Sequence, residues 1–310
     1  MAVSPVVSPT IPPFLGSVKS KTPEGFAAAI FGAPHGTPYD SIDNRAHQAA
    51  PDAFRNAIAP DSEWLEHWDF DLGHPLLDHG LGICDLGNLG TKSKDGEGNR
   101  VLIEDETRRV LDAGAVPIMF GGDDSVPIPF IAAYSDQPAI VILQIDAHID
   151  WRDERYGERN GFSSTMRRAS EHDHVWRIVQ VGARGMGSAR EAEIRDAQKW
   201  GARLITARDV HHRGVAQVLD HIPDDCDCVI ALDCDALDVS QMPAVAYPSP
   251  GGLNYTQVTD LIAGVASKAR IAGFCMVEFV PKRDPEGTAA FTAARIACNV
   301  IGRLGRRGEG

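Results

Sequence analysis

Three short acidic runs stand out for their spacing: Gly121-Gly122-Asp123-Asp124-Ser125, Asp146-Ala147-His148-Ile149-Asp150 and Asp233-Cys234-Asp235-Ala236-Leu237-Asp238. Asp146, His148 and Asp150 are each two residues apart, so in an extended chain they project to one side, and Asp233 and Asp235 do the same. Carboxylates gathered at one edge of a core repel one another steeply unless cations neutralise them. Oxygen-rich groups with an imidazole among them suit Mn²⁺ or a similar hard-to-borderline ion. Two such stretches side by side would hold two ions, with Asp146 and Asp233 placed to bridge them. Any one run taken singly also reads as turn or capping aspartates; the recurrence is what points to metal chemistry.

The runs directly follow apolar stretches, and this defines the elements that must position them. Residues 115–120, 139–143, 177–181, 228–232 and 274–277 are near-continuous apolar segments bounded by turn signals, the pattern of strands buried on both faces of a parallel sheet. Helical patterns fall between them, over 104–111, 254–269 and 288–304. Strand–helix alternation along the whole chain predicts a three-layer α/β/α fold with a central parallel sheet. Ligands in such folds bind at the carboxyl ends of the strands, where the acidic runs lie. Residues 1–24, rich in Pro, Ser and Thr, read as an irregular N-terminal arm, and 25–310 as a single domain. The polar stretch 91–100 reads as a surface loop.

Composition narrows the function classes. Against 43 Asp+Glu stand 30 Lys+Arg, a net charge of −13 that offers no field to draw nucleic acid or an anionic membrane. No apolar run reaches the ~18 residues of a membrane helix, and the N-terminus lacks signal-peptide character, so the expected location is cytoplasmic. The six cysteines do not form a disulfide or zinc pattern; Cys226, Cys228 and Cys234 read as small core residues.

In this order and spacing the three runs resemble the ureohydrolase superfamily of arginases, agmatinases and guanidino-acid hydrolases. Further matches are Val181-Gly182-Ala183-Arg184-Gly185, the loop Pro248-Ser249-Pro250-Gly251-Gly252-Leu253, and Val277-Glu278-Phe279-Val280-Pro281 followed by Asp284 and the 288–295 helix. The resemblance implies an arginase-like fold and hydrolysis of a guanidino-type C–N bond, releasing urea, by water activated between two metal ions. It implies one ion held by Asp124, Asp146, Asp150 and Asp233, and another by Asp146, His148, Asp233 and Asp235, either Mn or Ni. Asp150 would take part in catalysis, and Glu278 would pair with the guanidinium.

Two positions depart from the family pattern. Asp124 stands where relatives carry a histidine, giving the first ion an all-carboxylate set with altered affinity and occupancy. Asn160, in Arg159-Asn160-Gly161-Phe162, is read at the place of a second histidine, assigned to proton transfer or substrate contact, which an amide does not supply. His35 is a candidate to reach the site from the N-terminal motif. Trp151 either lines the substrate pocket or packs beneath its loop. These departures resemble the two-subunit ureohydrolases that act on biguanides such as metformin. They suggest a chain weakly active or inactive alone, joined to a homologous subunit in a trimer or hexamer. The alternatives are an autonomous agmatinase or guanidino-acid hydrolase of altered specificity, a non-catalytic assembly subunit, and a metal-dependent deacetylase on a related fold.

Overall fold

A computed structural model describes residues 11–43, 45–77, 80–187 and 189–304. The strands are β1 (Val18–Lys19), β2 (Ala28–Ala33), β3 (Trp68–Asp69), β4 (His74–Pro75), β5 (Ile83–Asn88), β6 (Val116–Gly121), β7 (Ile140–Ile145), β8 (Val175–Ala183), β9 (Arg203–Thr206), β10 (Asp227–Asp233) and β11 (Arg270–Val277). The helices are α1 (Ala50–Ile58), α2 (Gly96–Asp112), α3 (Pro127–Ala132), α4 (Thr165–Ala169), α5 (Glu191–Trp200), α6 (Ala207–Arg213), α7 (Ala216–Leu219), α8 (Tyr255–Lys268) and α9 (Thr288–Ile301). Nine strands form one sheet in the order β1-β5-β2-β6-β11-β10-β7-β8-β9, with every pairing parallel; β3 and β4 form a small antiparallel hairpin apart from it.

Alternation along the central strands builds the three layers. In β7, Val141, Leu143 and Ile145 join one core cluster, with residues of α1, α8 and α9, while Ile140 and Ile142 join a second, with residues of α2, α3, α4 and α5. In β10, Cys228, Ile230 and Leu232 divide from Val229 and Ala231 in the same way. Burial on both faces explains why these strands read as unbroken apolar runs. The α/β/α architecture and parallel central sheet expected from the sequence are present.

Differences lie at the edges. Within the segment read as an irregular arm, Phe14 and Leu15 are buried, and Val18–Lys19 pairs with Cys84 and Asp85 as an edge strand. The stretch read as a loop over 91–100 is loop only to Asp95. That residue's carboxylate accepts from the Gly98 N–H and starts α2 at Gly96, well before the expected 104. Helix α8 begins as read, with Asn254 and Gln257 forming a reciprocal cap. Of the six cysteines, Cys226 is half-buried and the other five are buried, all of them free thiols. Among the described residues, no helix is long and apolar enough to cross a membrane.

The strand order decides the site. Four neighbours, β6, β11, β10 and β7, end at the Gly121-Gly122-Asp123-Asp124 run, Glu278, the Asp233–Asp235 run and the Asp146–Asp150 run respectively. Their register keeps the ends level: Leu232 pairs with Ile145, Asp233 with Val277 and Met276 with Phe120. Adjacent strands lie about 4.8 Å apart, so segments far apart in sequence present carboxylates within metal-bridging distance of one another.

Candidate active site

The strand ends deliver two side-chain groups, each able to hold a metal ion, that share one carboxylate. Ligand atoms of Asp146, His148 and Asp235 lie within 4.8 Å of one another, and those of Asp124, Asp146 and Asp233 do the same. His148 Nδ1 stands 3.2 Å from Asp235 Oδ2 and 3.5 Å from Asp146 Oδ1. Backbone N–H groups fix the carboxylates as the chain turns out of each strand: His148 N–H donates to Asp146 Oδ1 (2.6 Å) and Asp235 N–H to Asp233 Oδ1 (2.7 Å). Asp150 adopts a left-handed backbone (φ 42°), as does Glu278 (φ 65°). Such strain in non-glycine residues persists where surrounding structure imposes it, and it concentrates at functional sites.

Two glutamines orient the acids. Gln144, in β7, donates through one amide nitrogen to Asp146 Oδ2 (2.7 Å) and Asp150 Oδ2 (2.9 Å). Gln180, its register partner in β8, donates to Gln144 Oε1 and to the Ile149 carbonyl (2.8 Å). The sequence reading passed over both; the available signal was a buried amide inside an otherwise apolar strand, which needs a partner. Arg184 donates to the carbonyls of Asp235 (2.6 Å) and Ser249 (2.8 Å), fastening the Pro248–Leu253 loop to the end of β10. Gly182 has φ 112°, and a side chain there would meet the Asp146 carbonyl at 2.6 Å, so only glycine lets β8 pass the Asp146–Asp150 loop.

Glu278 faces the ligand groups. Its Oε1 accepts from the Asp124 N–H (2.9 Å), and its Oε2 lies 3.4 Å from His47 Nε2. His47 Nδ1 meets the Phe279 carbonyl at 3.2 Å, so the ring is held between that carbonyl and the Glu278 carboxylate. His47 was not among the sequence candidates, because nothing local links residue 47 to residue 278.

Electrostatics set this cluster apart from a structural ion-pair network. Burial, reinforced by the charges of Asp150, Asp146 and Glu278, pushes Asp124 well above the usual carboxylate range. Burial and neighbouring carboxylates also raise Asp150, Asp233 and Asp235. At Asp146 the hydrogen bond and charge of His148 outweigh burial, and its carboxyl is lowered. His148 shows the converse: hydrogen bonds donated to Asp146 and Asp235 override burial and carry it up to about 12. Burial raises Glu278 to about 7 against the opposing charge of His47. Asp124 Oδ2 is buried without a hydrogen-bond partner. An orphaned carboxylate oxygen amid like charges, in an oxygen-rich set with one imidazole, fits divalent cations.

These groups floor a cleft of about 430 Å³, bounded farther out by Arg152, Arg155, Phe162, Ser163 and the Ala246–Ser249 loop. Asp124, His148, Asp150, Asp233, Asp235 and Glu278 all line it. Asp150 faces the cleft with its carboxylate engaged by Gln144, outside both compact ligand groups.

Three candidates from the sequence stand elsewhere. Asn160 borders a separate cavity with Arg159, Arg168 and His172, and its N–H donates to Glu158 Oε1 (2.7 Å); Phe162 and Ser163, two and three residues on, face the cleft instead. The loop turns between these positions, so a reading by linear order misassigned it. His35 bonds Thr91 Oγ1 (3.1 Å) and Gln48 Oε1 (3.3 Å) and does not line the cleft. Trp151 is 2% exposed and packs edge-on against Trp200, so of its two readings the structure selects packing beneath the loop.

A family model described as the arginase family matches residues 26–302. N(1)-aminopropylagmatine ureohydrolase of Thermus thermophilus is 35% identical over 207 residues, covering 66% of this chain and 68% of that protein. The structure of proclavaminate amidino hydrolase from Streptomyces clavuligerus superposes with a TM-score of 0.83 at 24% identity, over 95% of this chain and 97% of that one. Trypanosoma cruzi formiminoglutamase, whose structure is described as holding Mn²⁺, superposes with a TM-score of 0.79 at 19% identity, over 95% and 98% of the two chains. With its acidic strand ends gathered on the fold these proteins share, the chain belongs to the arginase family of C–N hydrolases.

Proposed function

We propose that this chain is a metal-dependent amidinohydrolase that cleaves the C–N bond of a guanidino compound and releases urea. The observation that carries the reading is the pair of ligand groups joined at Asp146 and facing Glu278 across one cleft. Two divalent cations supply, when bound, the lowered water pKa and concentrated positive charge that attack on an unreactive guanidinium carbon requires. Asp124, Asp146 and Asp233 would hold one, and Asp146, His148 and Asp235 the other, with Asp150 beside the first. The oxygen-only donors of the first group favour Mn²⁺ over Ni²⁺.

Glu278 does the substrate work. An ionised carboxylate accepts two parallel N–H bonds from a planar guanidinium, which fixes the carbon in one orientation. Its raised value of about 7 makes ionisation sensitive to what arrives; an incoming cation favours the charged form. Burial of the floor keeps bulk water from competing for these contacts.

A second reading has its own observation. Asp124 is read at the place of the family's histidine, and a further anion in this group favours a chain that supports a homologous catalytic subunit in a mixed trimer or hexamer, acting on a guanidine or a biguanide such as metformin. Purified chain reconstituted with Mn²⁺ or Ni²⁺ and assayed for urea release decides between them. Turnover by the lone chain supports the first reading. Turnover only after mixing with a homologous chain supports the second, and absence of bound metal would sink the first.

A further inference from the structure

The outer half of the cleft has the opposite polarity to its floor. Arg155 lines the same cavity as Glu278, and its guanidinium is boxed by three aromatic rings, 5.6 Å from the centroid of Tyr39, 5.1 Å from Tyr156 and 5.6 Å from Phe162. Its polar contact is a long 3.4 Å hydrogen bond to Ser163 Oγ. Among the described residues no carboxylate reaches ion-pair distance of Arg155. Nearby acids on the loop are engaged elsewhere: Asp153 with Arg168 (2.7 Å) and Arg159 (3.1 Å), and Glu158 with the Asn160 N–H (2.7 Å).

The box is itself built. Tyr39 is 3% exposed, stands edge-on to Phe162 at 4.9 Å and receives the Ser163 N–H at 3.4 Å. Tyr156 has a left-handed backbone (φ 54°). Aromatic faces attract a cation and restrict its motion without neutralising its charge. The fork therefore stays available for a bidentate partner while its geometry is set in advance.

We propose that Arg155 is a substrate-carboxylate subsite, so that the preferred substrates are guanidino acids, gripped at the guanidinium by Glu278 and at the far carboxylate by Arg155. This rests on the amidinohydrolase reading and adds the substrate class. An ammonium tail, as in agmatine, would meet a like charge at this place, and an alkylated cation would find the aromatic box already filled.

Calorimetric titration of the full-length, Mn²⁺-loaded chain tests this, with urea release measured alongside. The ligands are γ-guanidinobutyrate, its neutral amide γ-guanidinobutyramide, and agmatine. The expected result is an acid bound about 10- to 100-fold tighter than its amide, the range of a charge-assisted pair. Arg155→Met should erase that gap and leave the amide unchanged, and Arg155→Lys should retain part of it. Equal or weaker binding of the acid by the wild-type chain overturns the proposal, as does no binding of any of the three. Arg155→Met weakening acid and amide alike also overturns it, since that marks a structural role. Selective binding of the acid without urea release would refute the catalytic reading of the lone chain and leave the carboxylate subsite standing.

Discussion

Replacing Asp124 with Asn should stabilise the metal-free protein and shrink the rise in stability that metal brings. Asp124 is 5% exposed, its Oδ2 has no hydrogen-bond partner, and Asp150, Asp146 and Glu278 all bear on it as like charges. An unsatisfied buried acceptor costs about 1–3 kcal/mol, more when charged. Asparagine keeps the shape, removes the charge, and brings an amide that can donate to the surrounding carboxylates. The metal-free variant should gain about 1–3 kcal/mol, and at roughly 2 °C per kcal/mol for a chain of this size its Tm should rise by about 2–6 °C. With metal the gain is offset. Asparagine oxygen is a weaker ligand than carboxylate, and a tenfold loss of affinity removes about 1.4 kcal/mol of linked stabilisation at saturating metal. Differential scanning calorimetry of chelated and Mn²⁺-loaded samples of both proteins reads the two effects directly. A metal-free variant no more stable than the wild type, combined with an undiminished metal-induced rise, would show that Asp124 neither strains the empty site nor binds the ion.

Three other outcomes follow from the geometry. Glu278→Gln removes the charge proposed to grip the guanidinium and should lower kcat/KM by about 10- to 100-fold or more, with Mn²⁺ content unchanged by elemental analysis. Gln144→Leu leaves Asp146 and Asp150 without the amide that orients both, and metal affinity measured by competition with a chelator should fall about 10- to 100-fold. Asn160→His should leave turnover within about twofold, because Asn160 borders another cavity; a large gain in activity would restore the reading of Asn160 as a lost proton carrier.

Sequence alone carried the layer architecture and the acidic runs that the strand ends bring together. Spacing of two between Asp146, His148 and Asp150, and between Asp233 and Asp235, expresses strand geometry, which is local and repeats along a chain. Unbroken apolar runs reported strands covered on both sides, because burial leaves no solvent face to pattern. Strands β2 and β5 were not among the runs singled out. In β5 the polar Asp85 and Asn88 interrupt the signal; both serve the buried Arg55, which reaches them at 2.7 Å and 2.6 Å from α1.

What only the tertiary structure decided were the pairings with no local trace. His47 meets Glu278 across 231 positions, and Gln144 finds Gln180 through parallel strand register. The fates of Asn160, Trp151 and His35 turned on which way a loop faces, and several backbone paths are compatible with the same residue order. The spacing within one segment is fixed by bond geometry, whereas the meeting of two segments depends on strand order and on what the packed core leaves room for.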